Sequence, residues 1–196
     1  MIRSSLLAGA ALAVLAGAPF VGTAEAADTY KLDPVHSNIV FSTDHLGFSK
    51  MIGQFQEFDG TLVFDGSSVE GVTVEVAIKT ASIDTDHEAR DKHLTSPDFF
   101  NTQEFPEMTF KSTAVEATGD KTAKLTGDLT LLGVTKPVTL DVTLNKVDAN
   151  PMDPSVFIAG FSATGTVKRS DFGMQYGQGA IGDDVALWIE IEAIKQ

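Results

Sequence analysis

The sequence predicts an all-β domain of antiparallel strands, either a closed barrel or a sandwich, with one short helical insertion. Three observations lead there. Apolar and polar residues alternate with period two in segment after segment, the mark of strands with one buried and one wet face. Turn chemistry separates the segments at short intervals, at Asp59-Gly60, Asp65-Gly66, Gly119-Asp120 and from Gly133 to Pro137. Helix-start chemistry is confined to one segment, from Thr85 to Pro97.

The elements follow in order. Met1-Ile2-Arg3 is followed by an apolar run from Leu6 to Ala18 and then by Ala24-Glu25-Ala26. That order is a secretory signal over residues 1–26, and its apolar run is shorter than the roughly 20 residues a spanning helix needs. No Cys follows the run, so lipid attachment there is not expected. Cleavage after Ala26 leaves one domain over residues 27–196. The net charge of −13 is unchanged, because Arg3 and Glu25 leave together. Strands are expected at Ser37 to Thr43, Met51 to Phe58 and Thr61 to Phe64. Val72, Val74, Val76 and Ile78 then share one face of a strand. Thr85-Asp86-His87-Glu88 fits a capping box, with Thr85 as N-cap of a helix from Asp86 to Leu94, and Ser96-Pro97 offers a second start for one turn. Met108 to Glu116 is the next strand. Four more carry the apolar faces Leu125-Leu129-Leu131, Val138-Leu140-Val142-Leu144, Phe157-Ala159-Phe161-Ala163 and Val185-Leu187-Ile189-Ile191. The total is eight or nine strands.

Composition excludes several function classes. There are 27 acidic and 14 basic residues in the 196, with a pI near 4.5. Such a chain is a poor partner for nucleic acid or anionic lipid. The absence of Cys removes disulfides, thiolate metal sites and Cys nucleophiles. No G-x-S-x-G, phosphate-loop or H-E-x-x-H pattern occurs. The four histidines, His36, His45, His87 and His93, do not share a strand face or a helix face, so a metal site is not expected. Asp84, Asp86 and Glu88 resemble the start of a calcium loop, but Ala89 and Thr95 stand where the loop needs Gly and Glu. The Gly-rich stretch from Gly173 to Gly182 reads as a rim loop. No catalytic residue and no cofactor is therefore expected. Phe is the residue in surplus, at 13 of 196 with one Trp and two Tyr. Along Phe157 to Gly165, large inward residues alternate with small ones, which leaves volume to be filled. On these residues alone a solid core and an apolar tunnel both stay open.

A set of short motifs then resembles the YceI-like family of periplasmic, polyisoprenoid-binding, lipocalin-like proteins. They are Leu32-Asp33-Pro34-Val35-His36-Ser37, Phe41 with His45-Leu46-Gly47, Gly53-Gln54-Phe55, and His93 to Phe100. Phe105-Pro106 with Phe110, Gly127 to Leu140, Arg169 to Met174 and Val185 to Leu187 complete the set. The resemblance runs in order over nearly all of residues 27–196. It implies an extended eight-stranded antiparallel lipocalin-like barrel with a helical segment at one end. It also implies a tunnel holding an isoprenoid lipid or similar amphiphile, such as a polyprenyl phosphate, an isoprenoid quinone or a fatty amide, for transport or storage in the periplasm. No enzymatic activity follows from it. Strand parity selects Phe41, Phe55, Val74, Val76, Phe110, Leu129, Leu140, Phe157 and Phe161 as tunnel-lining residues. Polar candidates for orienting a head group are His36, Ser37, His45, Arg169 and Asp171. An ion pair of Arg169 with Asp171 or another acid is the alternative for that arginine. The expected partner is an amphiphilic lipid, without nucleic acid and without stable membrane insertion. A homodimer through an exposed strand edge is compatible with the pattern. Two other functions stay open: a stress or redox-associated protein acting on a bound quinone, and a solid-core interaction domain.

Overall fold

A computed structural model describes residues 27–196, so the expected signal over residues 1–26 lies outside the described residues. Eleven strand segments form one sheet. They are β1 (Asp28–Leu32), β2 (Asn38–His45), β3 (Ser49–Phe55), β4 (Phe58–Phe64), β5 (Thr73–Lys79), β6 (Ile83–Asp84), β7 (Glu107–Gly119), β8 (Thr122–Leu131), β9 (Val134–Asn150), β10 (Asp153–Lys168) and β11 (Ile181–Lys195). The helix α1 (Glu88–Leu94) lies between β6 and β7.

The register reduces eleven segments to eight strands. β11 pairs with β1 at one end (Leu32 opposite Ala193) and with β2 along the rest (Asn38 opposite Glu190). β1 and β2 are therefore one strand, broken by a bulge at residues 33–37. By the same reasoning β4 and β3 pair with β1 and β2, and β5 and β6 pair with β4 and β3. These are two further strands, kinked at 56–57 and at 80–82. With β7 to β11 the result is a closed eight-stranded antiparallel barrel in which each strand pairs with the next along the chain and the last pairs with the first. Closure leaves no strand edge open along this ring.

Local chemistry sets the breaks. At the first bulge the Ser37 hydroxyl donates to the Glu192 carbonyl (3.3 Å) and accepts from the Glu192 N–H (3.0 Å), and Asp33 N–H donates to the same carbonyl (2.9 Å). These bonds satisfy backbone groups that the bulge would otherwise strand. At the third kink the fully buried Thr80 donates from Oγ1 to the Phe105 carbonyl (2.7 Å).

Two expectations are corrected. β1 was not expected, because its five residues carry only Tyr30 and Leu32 as an apolar face. The helix begins two residues later than the capping box implied. Asp86 has a left-handed backbone (φ 61°), so His87 becomes the N-cap and its Nδ1 accepts from Arg90 N–H (3.2 Å). Thr85 instead bonds the Asp91 carboxylate, and Arg90 donates to Thr85 Oγ1 (2.7 Å) and to its carbonyl (2.5 Å). The helix is thereby tied to the end of β6. Ser96-Pro97 opens a single turn, closed by Phe99 N–H to the Ser96 carbonyl (3.0 Å).

The barrel has two unlike ends. At one lie the turn at residues 46–48, α1 with residues 95–106, the turn at 132–133 and the segment 169–180. At the other lie the segment 65–72 and the turns at 119–122 and 150–153. The second end is sealed by aromatic packing. Phe64 touches Tyr30 (ring centroids 6.0 Å) and Phe161 (5.5 Å, edge to face), with Val69 and Val72 beside them, all buried. Burying one such Phe contributes about 1.5–3 kcal/mol. The same burial pushes the Tyr30 phenol above its usual range. Charged residues lie on the outer wall as cross-strand pairs, including Lys79–Glu107, Lys111–Glu75, Lys124–Asp141 and Lys168–Asp184.

Candidate functional site

Strand parity sends the apolar faces inward, yet many inward residues are not fully buried. Phe41, Val74, Val76, Phe110, Leu129, Val142, Ala163, Leu187 and Ile189 sit in mid-strand and keep accessible surface. They keep it because they face a cavity of about 440 Å³ inside the barrel. A space that size is well above the gaps of close-packed interiors and within the ordinary range for ligand sites.

Two glycines hold this space open. Gly53 and Gly127 face inward, and the rings of Phe41 and Phe110 lie directly over them. A Cβ at Gly53 would overlap Phe41 and stand 2.7 Å from Thr85 Cγ2. At Gly127 it would overlap Phe110 and stand 2.7 Å from the Lys111 carbonyl oxygen. With glycine there, each ring occupies the space that a side chain on the neighbouring strand would otherwise fill.

The lining is apolar except at the α1 end. Its polar members are Thr43, Asp44, His45, Thr85, Arg90, His93, Arg169 and Tyr176, and all belong to that end. The rings of His93, Phe99 and Tyr176 form a cluster there, with centroids 5.0 to 5.2 Å apart, and His93 Nε2 bonds Asp98 (2.9 Å). Arg169 is buried, and among the described residues it has no ion-pair partner within bonding range. Its guanidinium donates to four backbone carbonyls, those of Gly182 (2.9 Å), Met174 (3.0 Å), Tyr176 (2.8 Å) and Ile181 (3.1 Å). The Gly-rich segment after it is thus folded around one cation. Asp183 faces the same turn and accepts from Ser170 N–H (3.0 Å) and Oγ (2.8 Å), bonds that hold its carboxyl below the usual range.

The residues selected by parity fall as follows. Phe41, Phe55, Val74, Val76, Phe110, Leu129, Leu140 and Phe161 are on the cavity wall. Phe157 is not. It shares the inward parity of Phe161, but it lies past the sealed end, where β9 and β10 project as a hairpin, and it is 46% exposed. Of the polar candidates, His45 and Arg169 are on the wall at the mouth. His36 and Ser37 lie at the 33–37 bulge and not on the cavity wall: His36 is exposed on the outer seam, and Ser37 is buried there against the Glu192 backbone. Asp171 is exposed and outside the cavity, and Arg169 has carbonyl partners rather than Asp171. Thr43, Asp44, Thr85, Arg90, His93 and Tyr176 also lie at the mouth and were not among the head-group candidates. Tyr176 had a signal, being the one aromatic residue in the Gly-rich stretch.

On the outer seam, Asp33, His36 and Glu192 bring ligand atoms within 4.8 Å of one another. His36 Nδ1 is already bonded to Asp33 (2.7 Å), which raises the histidine pKa and lowers that of the acid. A cation there would have to displace this bond.

Comparison with known proteins follows the same geometry. Residues 30–193 match the YceI-like domain. Protein YceI of Escherichia coli O157:H7 is 44% identical over 177 residues, covering 89% of this chain and 91% of that protein. The crystal structure of the Campylobacter jejuni YceI protein superposes with a TM-score of 0.71 at 35% identity, over 78% of this chain and 90% of that one. A polyisoprenoid binding domain from Saccharophagus degradans has the same fold, with a TM-score of 0.67 at 15% identity over 85% of this chain and 98% of that one.

Proposed function

The chain belongs to the YceI-like family, and from that we propose that it is an exported carrier holding the hydrocarbon part of an isoprenoid lipid, or a similar amphiphile, inside its barrel. The observation that carries the proposal is the cavity of about 440 Å³, apolar along its length and polar at one end only. Each CH₂ moved from water into such a space contributes roughly 0.8 kcal/mol before ordering costs. A prenyl chain gains from many such groups and needs no charge along its length. The polar end suits the head group, within reach of His45, Arg90, His93 and Tyr176, and the Phe64–Phe161 end suits the tail terminus. A polyprenyl phosphate, an isoprenoid quinone and a fatty amide all share this form. The name of the Saccharophagus degradans domain is consistent with the reading, as is the signal-like order of residues 1–26.

The test is direct. Protein purified from its own cell envelope is extracted with organic solvent, and the extract is analysed by mass spectrometry. The expected result is one prenyl lipid or related amphiphile per chain, which rebinds to the stripped protein. A clean extract, together with no uptake of added prenyl quinone or prenyl phosphate, overturns the carrier.

A further inference from the structure

The turn joining β2 to β3 is built in a way that the cavity alone does not explain. The chain reverses over Leu46-Gly47-Phe48, with Phe48 N–H donating to the His45 carbonyl (3.1 Å). Leu46 and Gly47 both have positive φ, 58° and 74°. Those angles belong to the mirror-image hairpin turn whose favoured residues are Asn-Gly. A leucine there is strained, since its Cβ crowds the backbone in the left-handed region. The strained side chain is not rewarded by burial: Leu46 is 53% exposed and Phe48 is 90% exposed. Two large apolar groups therefore stand at a hairpin tip where a polar residue would fold better.

The position of the tip says what it is for. Asp44 and His45, the last residues of β2, line the cavity mouth, as do Met51 in β3 and Ile181, which lies opposite His45. Leu46 N–H donates to the Ala180 carbonyl (2.8 Å), so the tip is fastened to the segment that carries Tyr176, itself 47% exposed. Met51, opposite Thr43, and Ile181, opposite His45, thus put apolar side chains at the mouth just behind the tip. We propose that this tip is a docking surface for a lipid bilayer, which brings the mouth of the cavity against the membrane in which its ligand is dissolved. The inference rests on the carrier reading above.

Charge selects the kind of bilayer. The mouth is bordered by exposed acids at Asp44, Asp86, Glu88, Asp98 and Asp171, which outnumber the exposed Lys50 and Lys92 beside them, and the chain carries a net −13. Anionic lipid repels such a surface. The partner is accordingly a zwitterionic or neutral bilayer, entered shallowly by two side chains and not spanned.

The experiment uses the whole chain without its signal, stripped of lipid, and the double variant Leu46→Asn with Phe48→Ser. Neither residue lines the cavity. Flotation with phosphatidylcholine vesicles is expected to fall at least about tenfold in the variant, as expected for losing a buried Phe. It is also expected to fall for the unmodified protein when anionic lipid is added at low salt. The variant should melt no lower than the parent, because Asn accepts the left-handed backbone. It should also take up an isoprenoid quinone from detergent as the parent does, while extracting it more slowly from vesicles. Flotation unaffected by the two substitutions overturns the docking surface. So does a parent that sediments as a dimer, a variant that sediments as a monomer, and vesicles that bind neither, since a second copy would then be the occupant. Failure of the parent to load from detergent overturns the carrier reading separately.

Discussion

Gly127 and Phe110 show at the scale of one residue how the bore stays open. Phe110 on β7 points inward, and its ring covers Gly127 on β8, where any Cβ would meet both the ring and the Lys111 carbonyl. The inward face of β8 reads Leu125, Gly127, Leu129, Leu131, so one small residue in a row of large ones makes room for the neighbouring ring. Gly127→Val forces the ring to swing across the cavity. The expected cost is about 1–3 kcal/mol, typical of overpacking, and is read from chemical denaturation. Prenyl lipid uptake should fall with it. The added change Phe110→Ala removes the ring that was displaced, so the double variant should recover uptake and should be more stable than the sum of the two single effects. Additive losses would mean that Gly127 serves only its own strand.

The broken first strand makes its prediction at the scale of an element. Asp33 holds the bulge between β1 and β2 by accepting from Val35 N–H (3.0 Å) and pairing with His36 (2.7 Å), while Ser37 bonds the facing backbone of Glu192. The His36 pKa is raised, chiefly by its bond to Asp33, so its contribution to stability is complete below the unfolded histidine value of about 6.5 and is lost as pH rises through the folded value. The Asp33 pKa is lowered, chiefly by the same bond, so its contribution is complete above about 3.9 and is lost as pH falls through the folded value. The advantage of the parent over Asp33→Asn in thermal melts is therefore expected to peak between about pH 4 and 6.5. A gap that stays flat from pH 4 to pH 9 would show that the pair does not secure the seam. This seam also explains what the sequence concealed. Alternation along β5 and β8 to β11 was legible because each inward face is apolar over most of its length. It could not show that β1 with β2, and β3 with β4, are single strands, because that follows from pairing with partners far along the chain. His36 and Ser37 lie in such a break, so the parity argument did not apply to them. Phe157 failed for a different reason: parity gives the side of a strand and not where the barrel stops. The cluster of His93, Phe99 and Tyr176 joins segments some 80 residues apart, and no local pattern announces it.

For the whole molecule, a hollow interior has a thermodynamic signature. The inward residues of mid-barrel give up packing that a solid core would have, so the empty protein is less stable than its apolar content allows. A ligand that binds only the folded state restores the difference, by about 2.7 kcal/mol when present at a hundred times its dissociation constant. For a domain of this size, each kcal/mol corresponds to about 2–4 °C, so loading should raise the melting temperature by about 5–10 °C. Ala163 gives the control. It lies on β10 between Val142 and Ile189, faces the cavity, and keeps accessible surface there. Ala163→Phe puts a ring into that space. In a solid barrel the substitution would overpack the core and cost about 1–3 kcal/mol. In this one it fills a void, so the unloaded variant should melt as high as the unloaded parent or higher, and the shift on adding prenyl lipid should disappear. A variant that loses stability by that amount would show the interior already filled, and one that keeps the full ligand-induced shift would place the lipid somewhere other than the bore.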